Sequence, residues 1–126
     1  MSFLSDEKKE KLVEFTKFVK KELKLKSVPT IAIINGRGKL KTTANYDYTK
    51  ENKIININGR NRALVDIMRS MAHELVHHQQ FELGKLTDST KDGADGSDIE
   101  NEAHAGAGLI MRKYGKINQS IYDDIK

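Results

Sequence analysis

A histidine pair, His73 and His77, set four residues apart inside a helix-periodic segment, constrains this chain more than any other feature. Between residues 61 and 83 the apolar positions Leu64, Met68, Met71 and Leu75 fall near one line, flanked by Val65, Ala72 and Val76. Gly84 stands where such a helix would stop. Side chains four apart on a helix share a face and lie one turn apart along its axis. Two imidazoles so placed reach a single ion at roughly 2.0–2.1 Å. Glu74 emerges beside that ion without binding it, where it can take a proton from water. The run His73-Glu74-Leu75-Val76-His77 thus supplies two metal ligands and a base. Shuffling this composition gives the same spacing in about one chain in a hundred, so its apolar helical setting matters as much as the motif.

A catalytic zinc ion takes three protein ligands and keeps a fourth position open. The chain has no cysteine, so any metal sits on histidine and carboxylate, and Zn2+ is the ion that set favours. Glu100-Asn101-Glu102-Ala103-His104, in the next helix-periodic segment, offers two candidates for the third ligand. Glu100 and His104 share a face, whereas Glu102 points elsewhere. With Glu100 on the metal, His104 can bond the outer nitrogen of a ligating histidine and fix its tautomer. With His104 on the metal, the site has three histidines. Ser97-Asp98-Ile99-Glu100 also reads as a capping box, a role Glu100 cannot combine with ligation. His78 sits about 100° round the helix from His77 and reads as an outer partner of the site or as core-facing. Gly106 and Gly108 lower intrinsic helix stability, and together with small Ala103, Ala105 and Ala107 they would let this helix lie close against the histidine helix.

The remaining segments supply a scaffold. Ser5 and Asp6 are N-cap candidates for a first helix over residues 6–25, with Leu12, Phe15, Phe18, Val19 and Leu23 on one stripe. Pro29 follows Val28 and leads into Thr30–Ile34, read as a buried strand ending at Asn35-Gly36. Residues 41–48 read as an edge strand, and residues 53–58, where Ile55 and Ile57 alternate with Ile54 and Asn56, as a third. The sheet is expected to be at least partly antiparallel. A polar loop over 85–97 precedes a helix over 98–114 that ends at Gly115, and residues 118–125 suggest a short final helix. A chain of 126 residues has room for one core. The reading is therefore a single α+β domain over 1–126: helix, small three-stranded sheet, active-site helix, loop, second ligand-bearing helix.

Composition narrows the partners. Charged residues make up 32% and hydrophobic residues 37%, with no apolar run near the roughly 18 residues of a membrane span. The early Asp6 and Glu7 do not suit a secretory signal, so a cytoplasmic location without membrane contact is expected. The net charge of +4 leaves a nucleic-acid partner open but does not favour it. Between residues 8 and 26 the lysines alternate with Glu10, Glu14 and Glu22, as on a solvated helix face. The aspartates at 92, 95 and 98 do not match the alternate-position spacing of a calcium loop. A solvated loop near the active site, with Gly93 and Gly96 suiting a lid, is the preferred reading.

The pairing of residues 73–77 with Glu100, Glu102, Ala103 and His104 resembles the gluzincin metallopeptidases. It is most similar to their small ImmA/IrrE-like branch and to compact HExxH proteins of tailed bacteriophages. In that pattern the second motif reads Glu-x-x-Ala followed by Asp or Asn, so His104 is a departure at the residue that backs the ligands. The similarity runs over about residues 28–114, through Val28-Pro29-Thr30, Ala107 and Leu109-Ile110-Met111. It implies a minimal zincin fold, zinc on His73, His77 and Glu100, and Glu74 as general base. It also implies hydrolysis of a peptide or protein substrate, or in some members of a single regulatory partner, in a host cytoplasm if the chain is phage-encoded; narrow specificity is expected because a general protease there would be hazardous. For that chemistry the strand around residues 42–46 can hold an extended peptide, and Tyr46, Tyr48, Arg60 and Arg62 are candidates for substrate or oxyanion contacts. Two other classes stay open: a zinc-stabilised regulatory protein that binds DNA or a repressor, and a phage structural or assembly protein without turnover. Neither substrate nor oligomeric state is legible in the sequence.

Overall fold

The computed structural model describes residues 5–34, 44–47, 53–60, 62–85 and 98–122. Helix α1 (Asp6–Leu23) starts where the Ser5 hydroxyl accepts the Lys8 amide at 3.2 Å. It ends two residues short of the expected Leu25 because Lys24 turns left-handed, at φ 55°. That turn lets the Leu25 amide reach the Lys20 carbonyl at 3.0 Å and satisfies the last turn of the helix.

Three strands follow: β1 (Thr30–Ile34), β2 (Ala44–Asp47) and β3 (Ile54–Asn58), in the spatial order β1-β3-β2. β1 runs parallel to β3 and β2 antiparallel to it, so the sheet is mixed. Ile55 and Ile57 on the central strand are fully buried, while Ile54 and Asn56, which alternate with them, remain half-buried. β1 was expected to be buried, but its apolar residues are only half-buried. Its place at the sheet edge accounts for this, since only one flank is covered by a neighbouring strand.

Helix α2 (Leu64–Glu82) packs against α1, β2, β3 and the last helix, and it is buried on most of its circumference. Its C-terminus closes through Gly84 at φ 77°, with the Lys85 amide on the Gln80 carbonyl at 2.8 Å and the Gly84 amide on that of Phe81 at 3.0 Å. A side chain at this φ would strain the turn. Helix α3 (Asp98–Ile117) runs antiparallel to α2, as the meeting of Glu100 with His77 and of His104 with His73 requires. At Gly106 a methyl group would lie 3.0 Å from a Val76 methyl, so the glycine permits this approach. α3 does not stop at Gly115 as the sequence suggested. Tyr114 is buried edge-on to Phe15 and Phe18, each with ring centroids 4.9 Å away. Those contacts, about 0.5–1.5 kcal/mol apiece, offset the roughly 1 kcal/mol penalty of an internal glycine. A 3-10 turn at Gln119–Tyr122 stands in the first part of the expected last helix, whose residues 123–125 lie outside the described residues. The architecture is α+β, a small sheet carrying three helices with α2 at the centre. Among the described residues no helix is long and apolar enough to cross a membrane. The candidate lid over 86–97 lies outside the described residues.

Candidate metal centre

The antiparallel α2–α3 pair brings together five side chains named from the sequence. His73 and His77 face α3 with near-perpendicular rings 4.8 Å apart. Glu100, in the first turn of α3, sets one carboxylate oxygen 2.7 Å from His73 Nε2 and the other 3.2 Å from His77 Nε2. Its carboxylate thus faces the histidines; Ser97, its partner in the alternative capping box, lies outside the described residues. His104 lies at the mouth, 70% exposed, with Nε2 3.4 Å from Glu100 Oε1 and its ring 4.5 Å from that of His73. Glu74 lies beneath them.

Two overlapping groups, His73–Glu74–His77 and His73–Glu100–His104, each gather their donor atoms within 4.8 Å of one another. Two atoms held about 2.1 Å from one tetrahedral ion are roughly 3.4 Å apart, so the cluster is positioned to hold a metal ion.

Glu74 is only 5% exposed, and its Oε2 has no hydrogen-bond partner among the described residues. Burial first, and then the charge of Glu100, push its carboxyl up to about 8. Burial also holds the His73 imidazole below its ordinary value, with His77 and His104 adding to the effect and Glu100 opposing it.

Gln80 was not singled out from the sequence, yet it organises the site. Fully buried, its amide nitrogen donates to the Ile99 carbonyl at 3.0 Å and to Glu102 at 2.8 Å. Its amide oxygen is therefore the acceptor that meets His77 Nδ1 at 2.8 Å. The network assigns the His77 proton to Nδ1 and leaves a lone pair on Nε2, which faces a Glu100 oxygen. Two acceptors pointed at each other call for a positive charge between them, and a metal ion fits that donor set. Glu102, which hangs away from the centre as expected, orients Gln80 and also pairs with Lys85 at 3.3 Å. The signal in the sequence was a glutamine one turn after His77 on the line of a buried face.

The other candidates are engaged elsewhere. The His78 ring, 2% exposed, meets the Tyr46 hydroxyl at 2.6 Å through Nδ1, and the Ser27 carbonyl at 3.1 Å and Glu82 at 3.4 Å through Nε2. None of these bonds reaches His73, His77 or Glu100, so of its two expected places the core-facing one holds. Burial keeps the His78 ring below its ordinary value despite Glu82. Burial alone would raise the Glu82 carboxyl, but the Lys26 and Ser27 amides and His78 bring it below the usual range. Glu82 thereby pins the segment after α1 to the end of α2. Tyr46 is the partner of His78. The Arg62 guanidinium bonds the Asn58 and Asp66 carbonyls and the Ser70 hydroxyl, bracing the entry to α2. Arg60 is exposed and its backbone amide donates to Asn58. Tyr48 lies outside the described residues.

Comparison of the chain with protein-family models, with curated proteins and with solved structures found no match.

Proposed function

We propose that this chain is a zinc-dependent peptidase in which His73, His77 and Glu100 hold the ion and Glu74 is the general base. One observation carries the reading: a buried carboxyl, one oxygen of which has no hydrogen-bond partner among the described residues, lies beside two imidazoles that share one carboxylate. Leaving such a group unsatisfied costs on the order of 1–3 kcal/mol, which a purely structural helix pair has no reason to bear. The likeness of both helix motifs to the gluzincins supports the same conclusion.

A bound zinc ion supplies a Lewis acid that acidifies water and polarises a substrate carbonyl. The protein's own groups do the rest. In the metal-free protein Glu74 keeps its proton near neutral pH, because its carboxyl titrates at about 8. A dication alongside favours the carboxylate. Glu74 then accepts a proton as water attacks the scissile carbonyl and hands it to the departing amine nitrogen. Gln80 holds His77 in one tautomer, and Glu102 holds Gln80. An extended peptide would align along β2, which is packed on α2 and follows β3 in the described sheet order β1-β3-β2.

The test is zinc content by elemental mass spectrometry together with hydrolysis of a blocked peptide library, for wild type and Glu74→Gln. The reading expects about one zinc per chain in both and turnover only in wild type. Turnover unchanged in Glu74→Gln removes it as base. Zinc without hydrolysis in either protein, with unfolding on chelation, moves the assignment to a zinc-stabilised binding or structural module.

A further inference from the structure

Beside the metal centre, on the side away from His77, a cavity of about 540 Å³ opens between α2 and α3. His73 and His104 form one end, and Ala107, Gly108 and Met111 contribute to its wall. The remaining lining residues are two arginines, Arg69 and Arg112. Arg69 lies one helical turn before His73, and Arg112 lies two turns beyond His104. In an antiparallel pair those offsets lead in the same direction, so both cations follow the metal centre along one groove. A methyl group at Gly108 would meet nothing within 4 Å, which marks open space there.

Neither guanidinium has an acidic partner among the described residues. Both arginines are exposed, and what sets them apart from other surface cations is that they line one cavity together. Two cations facing one cavity repel each other, and an anion between them turns that repulsion into two attractions. Guanidinium groups are suited to carboxylate, which they bind through paired hydrogen bonds. The volume is within the range of small-ligand sites and admits one acidic side chain or one chain end.

Resting on the peptidase reading above, we infer that Arg69 and Arg112 form a specificity subsite that selects peptides carrying a carboxylate next to the bond cleaved. The carboxylate belongs either to an aspartate or glutamate side chain or to the C-terminus of the substrate. The groove thus runs from a metal-binding end, where the carbonyl reacts, to a cationic end that fixes which residue lies beside it.

The experiment uses blocked peptides of one sequence with Glu, Gln or Lys at the test position, and the Gln peptide with a free C-terminal carboxylate. Binding to the zinc-loaded full chain carrying Glu74→Gln is measured by calorimetry, and hydrolysis by wild type is measured separately. The Glu peptide should bind about tenfold more tightly than the Gln peptide, and less so in high salt. Arg69→Gln and Arg112→Gln should each erode that advantage, Arg→Lys at either position should keep part of it, and Arg112→Glu should favour the Lys peptide. If the free C-terminus and not the Glu side chain carries the advantage, the subsite reads chain ends and the enzyme trims them. Equal binding of all four peptides, no binding up to millimolar concentration, or an advantage untouched by both arginine variants overturns the inference. Hydrolysis without charge preference removes the subsite and leaves the peptidase; charge-selective binding without hydrolysis does the reverse.

Discussion

Glu74 ionises against the fold, and this has a measurable sign. In an unfolded chain its carboxyl loses its proton near 4.5; in the metal-free native state it does so at about 8. Between those limits the native state holds one proton more than the unfolded state, so stability falls as pH rises, by about 1.4 kcal/mol per pH unit. The stability is whole below the lower limit and the loss complete above the upper one, reaching roughly 5 kcal/mol. A domain this size has on the order of 5–15 kcal/mol in all, so metal-free protein should weaken visibly in mild alkali. Glu74→Gln removes the titration while leaving a group of similar shape. His73 and His78 act in the opposite sense: their lowered values make stability complete above 6.5 and lost as pH falls through their native values. Both residues are present in both proteins, so the difference between the two isolates Glu74. Urea unfolding with a chelator, from about pH 5 to about pH 9, measures it. The variant's advantage over wild type should grow by about 1.4 kcal/mol per pH unit and level off near the upper end. Parallel stability curves would refute the claim that the carboxyl is held protonated by burial.

His77→Ala and Glu100→Ala should lose the zinc ion, while His104→Ala keeps about one per chain by elemental mass spectrometry; loss in the His104 variant alone would make it the third ligand. Gln80→Leu should weaken zinc binding by about 10–100-fold in competition with a chromophoric chelator, and an unchanged affinity would reduce the Gln80–His77 bond to packing. Gly106→Ala should destabilise by about 1–2 kcal/mol, and Val76→Ala in the same chain should recover part of that loss; simple additivity would mean the helices do not meet there. Tyr46→Phe should lower stability by about 1–2 kcal/mol with hydrolysis near wild type. A large fall in turnover with unchanged melting temperature would return Tyr46 to the chemistry.

What could be read from the sequence was local. The Ser5 cap, the Gly84 stop, the alternation at Ile55 and Ile57 and the apolar line along α2 each depend on a few neighbouring residues, and all are found in the structure. What could not be read depends on which element lies opposite. Thr30–Ile34 has the composition of a buried strand, but its burial follows from lying beside β3 at a sheet edge. Gly115 has the form of a helix stop, yet packing of Tyr114 on α1 decides the matter from across the core. The facing of Glu100 toward α2 follows from helical spacing, whereas Gln80 shows its purpose only once Ile99 and Glu102 are placed beside it.

His77 and His78 show most sharply what separates a structural histidine from a chemical one. They are consecutive, on one helix, and both largely hidden from solvent. A step of about 100° turns one toward α3 and the other toward the sheet, and that turn decides their partners. Both His78 nitrogens end on groups of the scaffold, so the ring completes a closed network and has nothing left to offer. His77 has one nitrogen fixed by Gln80 and the other aimed at a carboxylate that His73 also approaches. An imidazole anchored on one side and open on the other, toward a point shared with other acceptors, has the arrangement a cation requires. The same test extends to the carboxylates. Glu82 is saturated by two backbone amides and a hydroxyl and serves the fold, whereas Glu74 is buried with an oxygen that has no hydrogen-bond partner among the described residues. The proposed function rests on this contrast: among the described residues the bonding left unfinished lies with Glu74, beside the histidines and Glu100 of the α2–α3 pair.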